Sequence, residues 1–278
     1  IISETDRAKK HEEIYSQVPL LEVINLEKTY FSKASFFGTK TAFKAVDDVN
    51  FKVYPGETLG LVGESGCGKS TLGKAILQLD KATAGTLKYK GIDITNLSKK
   101  ALRLLRKDIQ IIFQDPYASL NPRLTVGAAI MEPMNVHKLF SSDEERKSKT
   151  IEILEKVGLE ASHFDRYPHE FSGGQRQRIG IARTIAVEPK LIICDESVSA
   201  LDISVQAQVL NLLNTLKDDY GFTYIFISHD LSVVKFMSDQ LMVMNQGKIE
   251  EIGEADAIYE APQKKYTKAL IDAIPKGL

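Results

Sequence analysis

Short runs of apolar and polar residues alternate in the first part of this chain. Residues 21–62 carry several such runs, broken at the turn formed by Pro55 and Gly56, and the alternation returns over Thr86–Lys90. Alternation of this kind places the apolar side chains on one face of a strand. We therefore predict a partly antiparallel sheet in this part of the chain.

The pattern becomes helical from about residue 97 to 186. Ala101–Lys107 is amphipathic and basic, and Ser142 with Glu145 forms a capping box ahead of apolar residues at helical spacing. Gly158 follows that segment, as expected at a helix C-terminus. We predict a helical insertion over this stretch.

Apolar strands return after the insertion. The three runs are Leu191–Cys194, Thr223–Ile227 and Gln240–Met244. A long helical stretch, Val205–Asp219, joins the first two. Strands that alternate with helices favour a mainly parallel sheet covered on both faces, so the predicted fold class is α/β.

Composition narrows the class of protein. The 278 residues are 43% hydrophobic, which is ordinary for a globular protein with a core. The formal net charge of −1 argues against nucleic acid as the main partner. The apolar runs are far shorter than the ~18 residues that a membrane-spanning helix needs. The two cysteines are too few for a disulfide framework. We expect a cytoplasmic protein, with residues 1–20 as a linker or N-terminal extension.

A glycine-rich loop follows the apolar run Thr58–Val62 and opens a helical segment. Its sequence, GESGCGKS, fits the phosphate-binding pattern G-x-x-x-x-G-K-S better than an ordinary glycine turn. Backbone N–H groups of such loops attract phosphate oxygens. We predict that Lys69 reaches the β- and γ-phosphates and that Ser70 binds Mg²⁺. The residues expected to contact the nucleotide are Gly63, Ser65, Gly66, Cys67, Gly68, Lys69, Ser70 and Thr71.

Two carboxylates end the apolar run that begins at Leu191. Asp195 lies at the expected carboxyl end of a buried strand, where open α/β sheets bind ligands. We predict that Asp195 is a second anchor for Mg²⁺. Glu196 is the candidate general base for the water that attacks the γ-phosphate.

A second glycine pair precedes an apolar-periodic helix at Ser172-Gly173-Gly174-Gln175, which implies a second anion site. One active site does not need two separate phosphate-binding sites. The second one is therefore expected to complete the active site of another copy of the protein. This motif resembles the signature of the ABC-type ATPases. It lies between a phosphate loop and an Asp-Glu strand, as in that family.

The resemblance implies roles for four further residues. Gln114 resembles the glutamine that senses Mg²⁺, with a surface glutamine as the alternative. His229 resembles the histidine that contacts the γ-phosphate, with a structural histidine at a strand end as the alternative. Asp202 resembles the aspartate of the loop that crosses the dimer seam, although a helix cap is the alternative. Tyr30 resembles the aromatic that stacks on adenine, with Phe31 or a core role as alternatives.

The resemblance also implies a domain plan. An ABC ATPase domain would span residues 21–278. Its core and antiparallel β subdomain would take about 21–96 and 187–253, its helical subdomain about 97–186, and a C-terminal extension about 254–278.

Several longer motifs are similar to the ATP-binding subunits of oligopeptide, dipeptide and nickel importers. They are GESGCGKST from Gly63, FQDPYASLNP from Phe113, YPHEFS from Tyr167 and ISVQAQVL from Ile203. The resemblance implies ATP and Mg²⁺ as cofactors and coupling of ATP-driven dimerisation to solute uptake. The expected partners are a second ATPase subunit, transmembrane permease subunits and a solute-binding protein acting through the permease. It also implies a peripheral location on the inner face of the membrane.

The chain departs from the family pattern at a few positions. Ser197 stands where proline is usual after Asp-Glu, which bears on the rigidity of that loop. Lys264 and Lys265 replace a usual His-Pro, and the tail has no cysteine cluster, so no iron–sulfur group is expected. The alternative function is a soluble mechanical ATPase of DNA repair or translation.

Overall fold

The computed structural model describes residues 4–31, 41–115 and 119–274. Residues 116–118 of the motif that begins at Phe113, and the ends of the predicted N- and C-terminal extensions, lie outside these ranges. The chain forms two compact units, one made of Ile1–Lys99 with Thr223–Leu278 and the other of Lys100–Phe222.

The first unit contains an antiparallel sheet in the strand order β2-β1-β4-β5. It confirms the antiparallel sheet expected from alternation, because the inward-facing positions of β1 and β2 are buried. The elements of the sheet and the N-terminal helix are α1 (Glu4–Tyr15), β1 (Leu21–Phe31), β2 (Ala42–Val53), β4 (Ala84–Tyr89) and β5 (Ile92–Asp93).

The first unit also contains four strands in the order β10-β9-β3-β8. Strand β3 pairs in parallel with β8 and β9, and β10 is antiparallel to β9. Every residue of β3 and β8 is buried, as expected for parallel strands covered on both faces. The elements are β3 (Thr58–Val62), α2 (Lys69–Ile76), β8 (Thr223–Ile227), α8 (Leu231–Met237), β9 (Gln240–Asn245), β10 (Lys248–Glu254), α9 (Ala255–Glu260) and α10 (Lys265–Asp272).

The second unit holds the helical insertion together with one pair of parallel strands, β6 and β7. Its helices and strands are α3 (Lys99–Asp108), β6 (Ile109–Ile112), α4 (Val126–Val136), α5 (Asp143–Lys156), α6 (Gly173–Ile185), β7 (Leu191–Asp195) and α7 (Ile203–Tyr220). Strand β6 lies inside the stretch expected to be helical. Three isoleucines and one glutamine between helices carry too little periodicity to distinguish a strand from a helix.

The helix caps follow the sequence. The Ser142 hydroxyl accepts the Glu145 N–H at 3.2 Å at the start of α5, and the Glu145 carboxylate accepts the N–H of Ser141 at 2.7 Å and also interacts with the backbone of Ser142. Among the described residues, no helix is long and apolar enough to span a bilayer.

Candidate nucleotide-binding site

The phosphate loop lies between the end of β3 at Val62 and the start of α2 at Lys69. Gly68 is the residue that precedes α2, with φ of 111°. Because glycine has no side chain to cap the helix, the first turn of α2 is suited to an anion. The structure therefore has the strand–loop–helix context that the phosphate-loop motif requires.

Two loop glycines allow close approach of neighbouring backbone. A Cβ added to Gly63, whose φ is 152°, would lie 2.1 Å from the carbonyl oxygen of Met244. A Cβ added to Gly68 would lie 2.0 Å from the carbonyl oxygen of Ala45. The loop is thus packed between β2 and β9, and any side chain at these two positions would displace backbone atoms.

Lys69 is almost fully buried at 4% exposure. Its ammonium donates to the carbonyl oxygens of Gly63 at 2.7 Å and Glu64 at 2.9 Å. The sulfur of Cys67 lies 3.8 Å away and is a weak acceptor. The loop therefore holds its own lysine in place through two carbonyl groups.

Tyr30 lies near the end of β1 with 40% of its side chain exposed. Its hydroxyl donates to the carboxylate of Asp80, and it also contacts the hydroxyl of Thr71. The hydrogen bond to Asp80 raises the pKa of Tyr30. Lys28 binds the same carboxylate and lies 5.0 Å from the Tyr30 ring centre. The ring is exposed while its hydroxyl is fixed next to α2, which is suitable for stacking on a base.

His229 follows β8 and is exposed. The N–H of Ser228 donates to the carbonyl of Leu61 in β3 at 3.2 Å. The carboxylate of Asp230 caps α8 by accepting the N–H of Ser232 at 2.8 Å. Because carboxyl ends of parallel strands meet at one edge of a sheet, His229 and the phosphate loop lie at the same edge of this unit.

In the second unit, Asp195 ends β7 and Glu196 follows with φ of 48°, in the left-handed region. A non-glycine residue in that region is costly, by about 1–3 kcal/mol, and such residues cluster at functional sites. The Ser199 hydroxyl donates to the Glu196 carbonyl at 2.9 Å, and the Gln114 amide donates to Ser199 at 3.2 Å. The structure thus brings Gln114 next to the loop that carries Glu196.

The loop after β7 is held by its own turns even though proline is absent. Ser197 is buried at 2% exposure. The N–H groups of Ser199 and Leu201 donate to the carbonyls of Glu196 and Val198 at 3.1 and 3.2 Å. These bonds constrain the backbone where the family pattern has a proline ring.

Ser172 and Asp202 both cap helices. At α6 the Ser172 hydroxyl accepts the N–H of Gln175 at 3.3 Å, and the Gln175 side chain accepts the N–H of Ser172 at 3.1 Å. At α7 the Asp202 carboxylate accepts the N–H of Val205 at 3.0 Å, which lowers the pKa of Asp202. A Cβ on Gly174 would lie 2.4 Å from Val205, so the two helices pack closely at their starts, while Gly173 has open space.

Comparison with known proteins decides the family. The family model described as ABC transporter matches residues 46–199, more than half of the chain. This chain belongs to the ABC transporter family. Its ATPase activity and its fold class, both predicted from the sequence, are confirmed by this membership.

Curated members of the ABC family match nearly the whole chain. The oligopeptide transport ATP-binding protein OppF of Bacillus subtilis (strain 168) is 52% identical over 257 residues, covering 92% of this chain and 82% of the relative. The dipeptide transport ATP-binding protein DppF of Escherichia coli (strain K12) is 48% identical over 260 residues, covering 94% and 78%. The resemblance to peptide importer ATPases is therefore confirmed.

Solved structures of ABC cassettes share the fold. The ATP-binding cassette MJ0796, in a dimeric post-hydrolysis state bound to ADP and phosphate, gives a TM-score of 0.74 at 30% identity, covering 84% of this chain and 98% of that one. CbiO1 from Clostridium perfringens, part of the cbiONQ transporter complex, gives 0.75 at 26% identity, covering 88% and 92%.

Asp80 and Tyr266 contact predicted site residues but were not found from the sequence. Asp80 binds the Tyr30 hydroxyl, and the Tyr266 hydroxyl accepts the N–H of Glu64 in the phosphate loop at 3.2 Å. Neither residue belongs to a motif that carries phosphate chemistry. Their contacts arise from chain segments 50 and 202 residues apart.

Proposed function

We propose that this chain is the ATPase subunit that powers an importer of peptides or a similar small solute. Relatives near 50% identity over more than nine-tenths of the chain are named for oligopeptide and dipeptide transport, and this observation carries the proposal. The names of these relatives do not favour the alternative function, a soluble mechanical ATPase. The proposed partners are a second ATPase subunit, permease subunits at the inner face of the membrane and a solute-binding protein.

A few residues of the proposed site have separate roles in ATP binding and hydrolysis. Lys69, buried and held by loop carbonyls, contributes positive charge to the β- and γ-phosphates. Glu196 accepts the proton of the attacking water and His229 contacts the γ-phosphate. The exposed ring of Tyr30 stacks on the adenine, worth about 1–3 kcal/mol by analogy with base stacking in nucleic-acid complexes.

The donor set fits Mg²⁺. Ser70, Gln114 and Asp195 offer hydroxyl, amide and carboxylate oxygens, which are the hard ligands that Mg²⁺ binds together with phosphate oxygens. The Gln114 amide nitrogen donates to Ser199, which leaves the amide oxygen as the ligand atom. When bound, Mg²⁺ neutralises charge on the phosphates during transfer.

Two copies are proposed to share two nucleotides. The start of α6, with Ser172 and its two glycines, would bind the phosphates held by the other copy, and Asp202 would lie at the seam. An exposed helix start of this kind favours anions by about 0.3–1 kcal/mol through the helix dipole. The dimeric cassette with ADP and phosphate supports this arrangement.

The test uses Glu196→Gln, which removes the base but keeps the size of the side chain. With ATP and Mg²⁺ we expect loss of hydrolysis by ~10²-fold or more and a stable dimer on size-exclusion chromatography with light scattering. Glu188→Gln is the matched control, since Glu188 is an exposed glutamate with a similar φ of 51°. A monomeric Glu196→Gln profile at saturating ATP would contradict the shared-site proposal.

Peptide import is tested separately in a strain that lacks this gene. We expect growth on peptides as the sole source of a required amino acid to be restored by the natural chain and by Glu188→Gln. Glu196→Gln and Lys69→Ala should fail to restore it. Restoration of growth by the two inactive variants, or normal peptide uptake without the gene, would contradict the transport assignment.

A further inference from the structure

The C-terminal helix α10 contacts the phosphate loop. The Tyr266 hydroxyl accepts a hydrogen bond from the N–H of Glu64 at 3.2 Å. Tyr266 is half-buried, and burial is the main factor that raises the pKa of its hydroxyl. The hydroxyl therefore stays neutral and accepts hydrogen bonds throughout the physiological pH range.

The start of α10 is fixed to strand β10. The Glu251 carboxylate accepts the N–H of Gln263 at 2.9 Å and that of Lys264 at 3.1 Å. Thr267, one residue after Tyr266, is fully buried. Two backbone hydrogen bonds and a buried neighbour therefore hold the tyrosine where it meets the loop.

The contact lies on the same peptide group that holds the loop lysine. In the peptide joining Gly63 to Glu64, the N–H binds Tyr266 while the carbonyl oxygen accepts the ammonium of Lys69 at 2.7 Å. A trans peptide is planar, with its N–H and C=O pointing in opposite directions. Fixing one end of the group therefore fixes the direction of the other.

The ammonium of Lys69 has three hydrogens to donate. Two of these hydrogens are donated to the carbonyl oxygens of Gly63 and Glu64. The third is near the Cys67 sulfur at 3.8 Å, a weak acceptor that a phosphate oxygen can replace. The two carbonyl groups thus set the direction of the third N–H of the ammonium. Consecutive hydrogen bonds also polarise one another, so that loss of one weakens the next.

We propose that Tyr266 is a positioning residue that sets nucleotide affinity from the C-terminal helix, by orienting the Gly63–Glu64 peptide that aims Lys69. The inference rests on the proposed role of the phosphate loop. It assigns a role in nucleotide binding to a residue of the C-terminal helix, outside the motifs that predict nucleotide contacts.

The test compares Tyr266→Phe, which removes only the hydroxyl, with Tyr259→Phe in the preceding helix α9. Tyr259 is a matched control because its hydroxyl bonds to Ser232 instead of the loop. For Tyr266→Phe we expect the Kd for ATP, from titration with a fluorescent analogue and competition, to rise about two- to tenfold, the range for one neutral hydrogen bond. KM for ATP should rise in parallel, and Tm should stay within about 2 °C of the natural protein.

The remaining outcomes separate the two proposals. Unchanged ATP affinity in Tyr266→Phe would overturn the positioning role. An equal effect in Tyr259→Phe, or a fall in Tm and kcat without a rise in Kd, would also overturn it, because a structural role alone then suffices. The Kd for ATP of Lys69→Ala is measured in the same assay. An affinity equal to that of the natural protein in this variant would refute the proposed function of the phosphate loop itself.

Discussion

Substitution of Gly68 by alanine should damage the phosphate loop more than the same change at Gly66. Both glycines have positive φ, 111° and 81°. The added Cβ at position 68 would lie 2.0 Å from the Ala45 carbonyl oxygen, whereas at position 66 it would meet no atom within 4 Å. Comparison of the two variants therefore separates the cost of backbone strain from the cost of steric collision.

The structure gives the magnitude of each effect. A non-glycine residue in a sparsely populated φ region costs about 1–3 kcal/mol, and both variants have this cost. Cβ contacts essentially never fall below 3.0 Å, so in Gly68→Ala the loop or strand β2 must move by about 1 Å, at a further ~1–3 kcal/mol for overpacking. We expect a loss of roughly 2–6 kcal/mol for Gly68→Ala and about 1–3 kcal/mol for Gly66→Ala.

The assay is equilibrium unfolding in urea, followed by circular dichroism without nucleotide. The two variants and the natural protein are compared through the free energy of unfolding and the slope m. An equal slope shows that stability alone has changed. If Gly68→Ala were no less stable than Gly66→Ala, the packing of the loop between β2 and β9 would be refuted as the reason for glycine at position 68.

Three further variants test other contacts. Tyr15→Phe should lower the free energy of unfolding by about 1.5–3 kcal/mol, because the hydroxyl donates to the fully buried Glu57 carboxylate at 2.9 Å; an unchanged urea midpoint would contradict this. Leu61→Ala, at a fully buried position of β3, should cost about 2–5 kcal/mol in the same assay, and a loss below 1 kcal/mol would argue against a packed core there. The hydrogen bond from Lys28 lowers the pKa of Asp80 below its ordinary 3.8, so this carboxylate stabilises the fold above that pH and the contribution is lost as pH falls through the lowered value. Asp80→Asn should therefore be less stable than the natural protein at pH 7, and this difference in stability should shrink as the pH falls below 3.8. A difference that stayed constant with falling pH would contradict that reasoning.

Local sequence determined most of the helices and strands and the phosphate-binding motif. Strands β3 and β8 begin and end where the apolar runs predicted, because strands buried on both faces require continuous apolar residues. The phosphate loop was recognisable because its chemistry needs glycines, a lysine and a serine at fixed spacing. The predicted roles of Glu196, His229 and Gln114 in hydrolysis stay predictions.

Tertiary structure alone decided what supports those motifs. The sequence contains Gly68 but does not show the Ala45 carbonyl, which makes a side chain at that position costly. It contains Tyr266 but not its contact with Glu64, which lies 202 residues away. The short strand β6 was not predicted, for the same reason. It ends at Ile112, and its partner β7 begins 79 residues later, at Leu191. Periodicity and motif spacing record local geometry, whereas contacts between distant segments depend on how the chain folds back on itself.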